Sequence, residues 1–384
     1  MMFILRYLIP FVTPEVNQWS HHARFLHWLT FIWLLIGLVS LYSASSAEGY
    51  VNFDDSLYYL KRQLIWFAIG GILFNVIVRT PIKQILDFAP WGFLIVLVLI
   101  TLTFVPGLGT TVYGATRWLS LKFIVIQPSE LIKPWLVLQC AVLFANWLKI
   151  KPWKRIFWIC LFGILLLLIL KQPNLSTTAL CGMGFWLIAL AAGLPGGYLG
   201  GTAIAGLIMA LISISLQSYQ RMRITSFLDP WADPLGNGYQ LVQSLLAIGS
   251  GKIWGTGLGL SQQKLFYLPI QSTDFIFAVF AEEFGFVGSI LLLILLSIYA
   301  TVAFRVATKS QDRINALIAI GVMVFMVGQS ILHIGVATGV LPTTGLPLPL
   351  FSYGGSSMVS SLFLAGLLVR VARESSQAEV ISLR

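Results

Sequence analysis

The sequence predicts an all-α, polytopic membrane protein of about ten transmembrane helices, and three observations carry that prediction. The 384 residues are 58% hydrophobic and only 10% charged, against roughly half and a quarter in a soluble domain. Mean hydropathy is +0.87, which excludes a water-soluble globule. Several apolar runs approach or pass the roughly 20 residues needed to cross about 30 Å of hydrocarbon. Period-two alternation is absent, which argues against a closed barrel and leaves helices to satisfy the backbone in lipid.

Taken in order, spans are expected near 25–45, 60–78, 91–104, 129–148, 156–170, 177–193, 199–216, 275–300, 314–340 and 357–369. The sixth and seventh are joined only by a turn holding Pro195, Gly196 and Gly197. Residues 1–24 read as a retained interfacial N-terminal segment, because the apolar run after Arg6 is broken by Pro10 and no small-residue cleavage site follows. Residues 25–370 form one membrane domain, and 371–384 a cytoplasmic tail. Basic residues set the orientation. Arg6 and Arg24, Arg79 and Lys83, Lys149, Lys151, Lys154 and Arg155, Arg305, Lys309 and Arg313, and Arg370, Arg373 and Arg384 fall on one side. That side is the cytoplasm, and both termini lie there. The net charge of +10 therefore reads as cationic loops facing anionic lipid, with no nucleic-acid partner.

Cys140, Cys160 and Cys181 lie in apolar runs and read as packing residues. The four histidines lack zinc spacing. Gly249-Ser-Gly-Lys252 lacks the upstream glycine of a phosphate-binding loop, and Gly255-Thr-Gly-Leu-Gly259 has no strand–helix context. These mismatches argue against nucleotide and zinc chemistry.

Two external loops stand out, one over 106–128 and a longer one over 217–273. Loops this long are uncommon unless functional. The middle of the second, 239–248, has helical apolar spacing and is expected along the membrane surface. Where this loop enters the eighth span stands Thr273-Asp274-Phe275. Asp274 reads equally well as a helix N-cap or as a functional carboxylate, and a helix N-terminus would lower its pKa. Glu282 and Glu283 follow, Glu282 about 12 Å deeper at 1.5 Å per residue; pairing with a neighbouring helix is favoured over a proton path. In the first loop, Arg117 offers a planar fork for phosphate oxygens and Trp118 an interface anchor. Gln127-Pro128-Ser-Glu130 starts the fourth span, with Glu130 and Lys133 three apart on one face. Between the last two spans, 341–357 contains Pro342, Pro347, Pro349, Gly345, Gly354 and Gly355. Irregular backbone at membrane depth must be buried or line a cavity, so a re-entrant segment is expected there.

The tracts GATRWLSL and QPSELIK, then DPWADPLGNGYQLVQSLLAIGSG and GTGLG, then TDFIFAVFAEEFGFVG, and finally LPTTGLPLPLFSYGGSS resemble, in this order, the SEDS family of bacterial cell-wall proteins (shape, elongation, division and sporulation). The resemblance covers nearly the whole chain after residue 25. Ser261-Gln-Gln-Lys264-Leu-Phe-Tyr-Leu-Pro269 is nearer to the division member than to the elongation member. The resemblance implies a glycosyltransferase that polymerises lipid II, an undecaprenyl-pyrophosphate-linked disaccharide-pentapeptide, into peptidoglycan strands at the outer face of the cytoplasmic membrane during septal wall synthesis. It implies a class B penicillin-binding protein and divisome proteins as partners, in a setting of membrane lipid. The family's essential aspartate falls on Asp274. The reaction would invert the donor sugar to form a β-1,4 linkage, so the leaving pyrophosphate needs basic residues or a divalent cation such as Mg or Mn. Arg117, Lys133, Arg221 and Arg223 are the cationic candidates, with Glu130, Lys264 and Ser356 beside them. Trp118, Gln127, Pro128, Glu282, Glu283, Pro347, Pro349, Gly354 and Gly355 would shape the cavity.

The chain departs from the family in three places. Pro269-Ile270-Gln271-Ser272-Thr273-Asp274 lacks the usual glutamate and histidine, Asn174 stands where an aspartate is frequent, and His333 where an asparagine is common. Three rival readings remain at this stage: a lipid II flippase, an elongation-type polymerase and a non-catalytic scaffold.

Overall fold

The computed structural model describes residue 16 and residues 18–112, 115–121 and 124–382. Most of the N-terminal segment, with Arg6, lies outside the described residues, as do Gly114 and Arg384. Every expected span contains a helix. These are α1 (His21–Phe53), α2 (Tyr58–Arg79), α3 (Ile82–Leu102), α4 (Pro128–Ala145), α5 (Pro152–Lys171), α6 (Leu175–Ala191) and α7 (Gly196–Leu216). After two loop helices, α8 (Ser218–Leu228) and α9 (Tyr239–Ser250), come α10 (Ile276–Lys309), α11 (Arg313–Met323), α12 (Gln329–Ala337) and α13 (Gly355–Ser382). A π-helical turn, Val324–Gly328, joins α11 to α12 into one span. Among the described residues, eight spans are long and apolar enough to cross a membrane by themselves. The other two are α4, which carries a buried charged pair, and α6, which is 17 residues long.

Helix α13 is the axis of the bundle. It packs on α1, α2, α4 and α11, and residues 360–372 are continuously buried. A helix apolar all round belongs in a core. At its cytoplasmic end, Arg370 and Arg373 donate to the Val78 carbonyl at the end of α2, and Glu374 accepts from the Ile82 N–H at the start of α3. These side chains satisfy helix-terminal groups that would otherwise lack partners, each with the favoured sign of charge. Helix α7, by contrast, touches mainly α6 and α8 and shows most of its surface outward.

The all-α expectation needs one amendment. The first external loop folds as a three-stranded antiparallel sheet: β1 (Gly109–Val112), β2 (Ala115–Leu121) and β3 (Ile124–Ile126), in the order β1-β2-β3. Thr110 faces Trp118, and Leu119 faces Ile126. The expected surface helix in the second loop is present as α9. Its apolar face, Leu241, Val242 and Ala247, is buried against protein, and Ser244 donates to the Ala337 carbonyl at 2.7 Å. Of the three cysteines, Cys140 and Cys181 pack in the core, while Cys160 is exposed on the outside of α5.

The eighth span is not one continuous helix. Gly285 adopts φ 65° and ψ −163°, which breaks α10; that region of backbone space is open essentially to glycine alone. The freed polar groups find partners in residues 252–257. Thr256 and Gly257 N–H donate to the Glu282 and Glu283 carbonyls, while Phe286 and Val287 N–H donate to the Lys252 and Ile253 carbonyls, all at 2.9–3.1 Å. The glycine-rich stretch that fails as a nucleotide motif is therefore the patch on a broken helix. Gly285→Ala is expected to lower stability by about 1–3 kcal/mol, read as a lower Tm of the detergent-solubilised protein.

Candidate active site at the outer end of the bundle

The buried segment 341–354 organises this end of the molecule. Leu346, Leu348, Leu350 and Phe351 are each at most 2% exposed, so its irregular backbone has no water to satisfy it. Side chains from α2 and α12 and the backbone of residues 272–273 do so instead. His333 Nδ1 bonds the Leu346 carbonyl at 2.8 Å, and Gln329 donates to the Pro347 carbonyl at 2.6 Å. Gln63 donates to the Ser352 carbonyl and accepts from the Gly354 N–H. Ser352 donates to the Thr273 carbonyl at 2.6 Å, and Tyr353 N–H to the Ser272 carbonyl at 2.9 Å. Ser356 accepts from the Gln127 N–H at the start of α4. Gly355 lies against the Trp66 indole with no room for a Cβ. The stretch expected to be re-entrant is thus a buried, non-helical segment that holds Pro347, Pro349 and Gly354, with Gly355 and Ser356 following it as the first residues of α13.

The turn bonded to this segment carries Asp274. Its N–H donates to the Ile270 carbonyl, and α10 begins two residues later with Phe275 as its cap and no capping side chain. Asp274 is therefore not an N-cap. The pKa expectation also reverses: burial pushes its carboxyl up to about 6, against the opposing pull of Arg223, a Thr273 hydrogen bond and Arg117. Desolvation outweighs the helix end because the carboxylate, though close to two guanidinium groups, is bonded to neither.

Those two cations are held by backbone carbonyls. Arg117 Nε and Nη2 donate to the Gln172 and Pro173 carbonyls at 3.2 and 2.5 Å, at the C-terminal end of α5, where positive charge is favoured. Burial and the nearby Arg223 lower the Arg117 pKa, while Tyr219 and Asp274 oppose them. Arg223 donates to the Thr343 carbonyl at 3.0 Å, bonds the Tyr219 hydroxyl and lies over the Tyr219 ring, 4.6 Å from its centroid. Gly345 lies directly beside the Asp274 carboxyl, where a Cβ would stand 3.4 Å from Oδ2. Sequence reading missed Tyr219, Thr343 and Gly345. Tyr219 and Arg223 are four apart, the spacing of facing residues on a helix, and that signal was available.

Other expected residues take supporting places. Lys133 donates to both Glu130 oxygens at 2.7 and 2.8 Å and to Gln329 at 2.9 Å. Its three donors are filled and it is 2% exposed, so in this conformation it presents no N–H to a phosphate. Glu130 and Lys133 instead brace Gln329, which holds Pro347. Lys264 is likewise buried, bonded to Glu283 and Ser43 at 2.9 Å each. Glu283 also accepts from Ser43, and Glu282 from Ser261 and from the N–H groups of Gln262 and Gln263. The two glutamates pin the tract leading to Asp274. Arg221 is exposed, Trp118 is half-buried in β2, and Pro128 is buried as the first residue of α4. Two of the three family departures have local explanations: His333 supplies the bond to Leu346, and Asn174 caps α6 through Thr177 N–H.

Among the described residues no three His, Cys, Asp or Glu side chains converge, and guanidinium groups flank Asp274 where further carboxylates would be needed. This donor set does not fit a divalent cation held by the protein alone, and no step is assigned to one.

The fold and site define a polytopic helical membrane protein with a partly desolvated carboxylate between two arginines at one end of its bundle. Residues 24–377 match the cell cycle protein family of FtsW, RodA and SpoVE, and the chain belongs to that family. It is 58% identical over 381 residues to a Synechocystis sp. protein named "Probable peptidoglycan glycosyltransferase FtsW", covering 99% of this chain and 96% of the relative. A solved structure described as "Structural coordination of polymerization and crosslinking by a peptidoglycan synthase complex" is 30% identical, covers 92% of this chain and 98% of the matched one, and has a TM-score of 0.72. The rod shape determining protein RodA of Thermus thermophilus matches at 27% identity and TM-score 0.67, covering 91% and 96%.

Two outcomes are expected. Lys133→Met should cost about 3–5 kcal/mol by leaving Glu130 buried and unpaired, and Glu130→Leu with Lys133→Met should restore most of the loss in Tm. Because the folded pKa of Asp274 is raised, the folded state favours its neutral form. Asp274→Asn should therefore raise Tm above pH 6, and the gain should fade as pH falls towards about 4, the unfolded carboxyl range.

Proposed function

We infer that the chain is a peptidoglycan glycosyltransferase of the FtsW type, polymerising lipid II at the outer face of the cytoplasmic membrane. The observation that carries this reading is Asp274, a carboxyl with a pKa near 6 facing two guanidinium groups that it does not bind. A base in this range is mostly ionised at neutral pH yet accepts a proton more readily than an ordinary aspartate. It would take the proton of the acceptor's GlcNAc 4-hydroxyl as that oxygen attacks the donor sugar opposite its lipid pyrophosphate. The leaving group gains negative charge. Arg117 and Arg223 are pre-positioned on carbonyls with N–H donors to spare, so they can stabilise that charge without reorganising. Arg221, exposed on the same helix as Arg223, extends the cationic surface.

A flippase is the weaker reading. It would use Glu282 and Glu283 as a proton path, but each is held by several hydrogen bonds to Ser43 or residues 261–264. Septal wall synthesis with a class B penicillin-binding protein and other divisome proteins fits the relative's name and the synthase complex among the similar structures.

The test feeds labelled lipid II to the purified protein with its cognate transpeptidase in liposomes. Asp274→Asn should lower polymer formation by about 10²–10⁴-fold, the range for loss of a general base. Wild-type kcat/KM should fall as pH drops below 6, where the carboxyl protonates. Equal polymer from wild type and variant would remove Asp274 from the chemistry. Movement of lipid II between leaflets without polymer would favour the flippase.

A further inference from the structure

A cleft of about 390 Å³ opens between α1 and α10 at the end of the bundle opposite Asp274. Its rim is basic and polar: His21 and His22 at the start of α1, and Arg305 near the end of α10. Its walls are apolar, including Phe25, Ile294 and Ile298, each between 37% and 49% exposed. Between the same two helices, Trp33 and Tyr299 meet edge-to-face at 5.3 Å and are fully buried.

We propose that this cleft is a binding site for one anionic phospholipid of the cytoplasmic leaflet, its phosphate at the rim between His21 and Arg305 and an acyl chain along the apolar walls. The dimensions agree. Ile294 lies eleven residues before Arg305, about 16 Å along the helix at 1.5 Å per residue, which is roughly one leaflet of a 30 Å core. The chemistry agrees as well. Among the described residues no carboxylate lines the cleft and none is ion-paired to Arg305. The hydroxyls of Ser297 and Thr301 donate back to their own helix, so head-group recognition falls to the rim. A guanidinium beside an imidazole suits a phosphodiester, and basic pockets between helices on the cytoplasmic side select anionic head groups. The site lies on the cytoplasmic side by the distribution of basic residues, far from the glycosyl-transfer residues.

Native mass spectrometry of the detergent-purified full chain would compare phosphatidylglycerol with phosphatidylcholine of the same acyl chains. Wild type should retain the anionic lipid at least about tenfold better. His21→Gln combined with Arg305→Gln should abolish that preference while leaving the lipid-free Tm unchanged. A second measurement needs no variant: phosphatidylglycerol with a diazirine in its acyl chain should label peptides containing Phe25 and Ile294 to Ile298. Equal retention of the two lipids by wild type, an undiminished preference in the double variant, or labelling confined to other helices would each overturn the proposal.

Discussion

The outer end of this protein depends on one constraint: a non-helical stretch of backbone buried where water cannot reach it. Pro342, Pro347 and Pro349 prevent residues 341–354 from closing their own ladder of hydrogen bonds. Each exposed carbonyl or N–H in a dry interior costs on the order of 1–3 kcal/mol unless paired. The partners come from α2 through Gln63, from α12 through Gln329 and His333, and from the 272–273 turn beside Asp274. Satisfying this segment therefore fixes the relative positions of three otherwise separate parts of the chain. Asp274 has a defined place because the residues beside it are bonded to that segment.

Charge follows the same logic. Arg117 and Arg223 spend part of their donor capacity on carbonyls, which positions them, and both keep N–H groups for a ligand. Lys133 and Lys264 spend theirs on buried carboxylates and become supports. A lysine ammonium is a compact point charge that three acceptors can saturate, whereas the guanidinium fork has five donors and can be anchored and still recognise phosphate. That difference separates the cations of the site from those of its scaffold, although all four looked alike as basic residues near external loops.

The broken helix α10 shows how a second irregularity is tolerated. Gly285 interrupts it just after the glutamate pair, and residues 252–257 supply the missing partners. The same pair pins residues 261–264 through side chains. Backbone and side-chain bonds thus tie the long external loop to the helix that follows Asp274 at two heights. A carboxylate must be held to within fractions of an ångström to act as a base, and this double attachment is a physical means of doing so.

Hydrophobic run length and charge placement determined the spans, and turn chemistry marked 341–357 as re-entrant, because both depend on local composition and on the requirement that lipid-buried backbone be satisfied. The Asp274 position was legible too, from its motif. The direction of its pKa was not, because the sequence shows a helix starting close to Asp274 but not the desolvation around the carboxyl. Nor could sequence reveal the small sheet around Arg117, whose strands are only three to seven residues long. Tertiary structure alone decided which of the basic residues face the site. Lys133 and Glu130 pair as their i,i+3 spacing allows, but only the approach of Gln329, 196 residues away, fills the last donor and turns the pair inward.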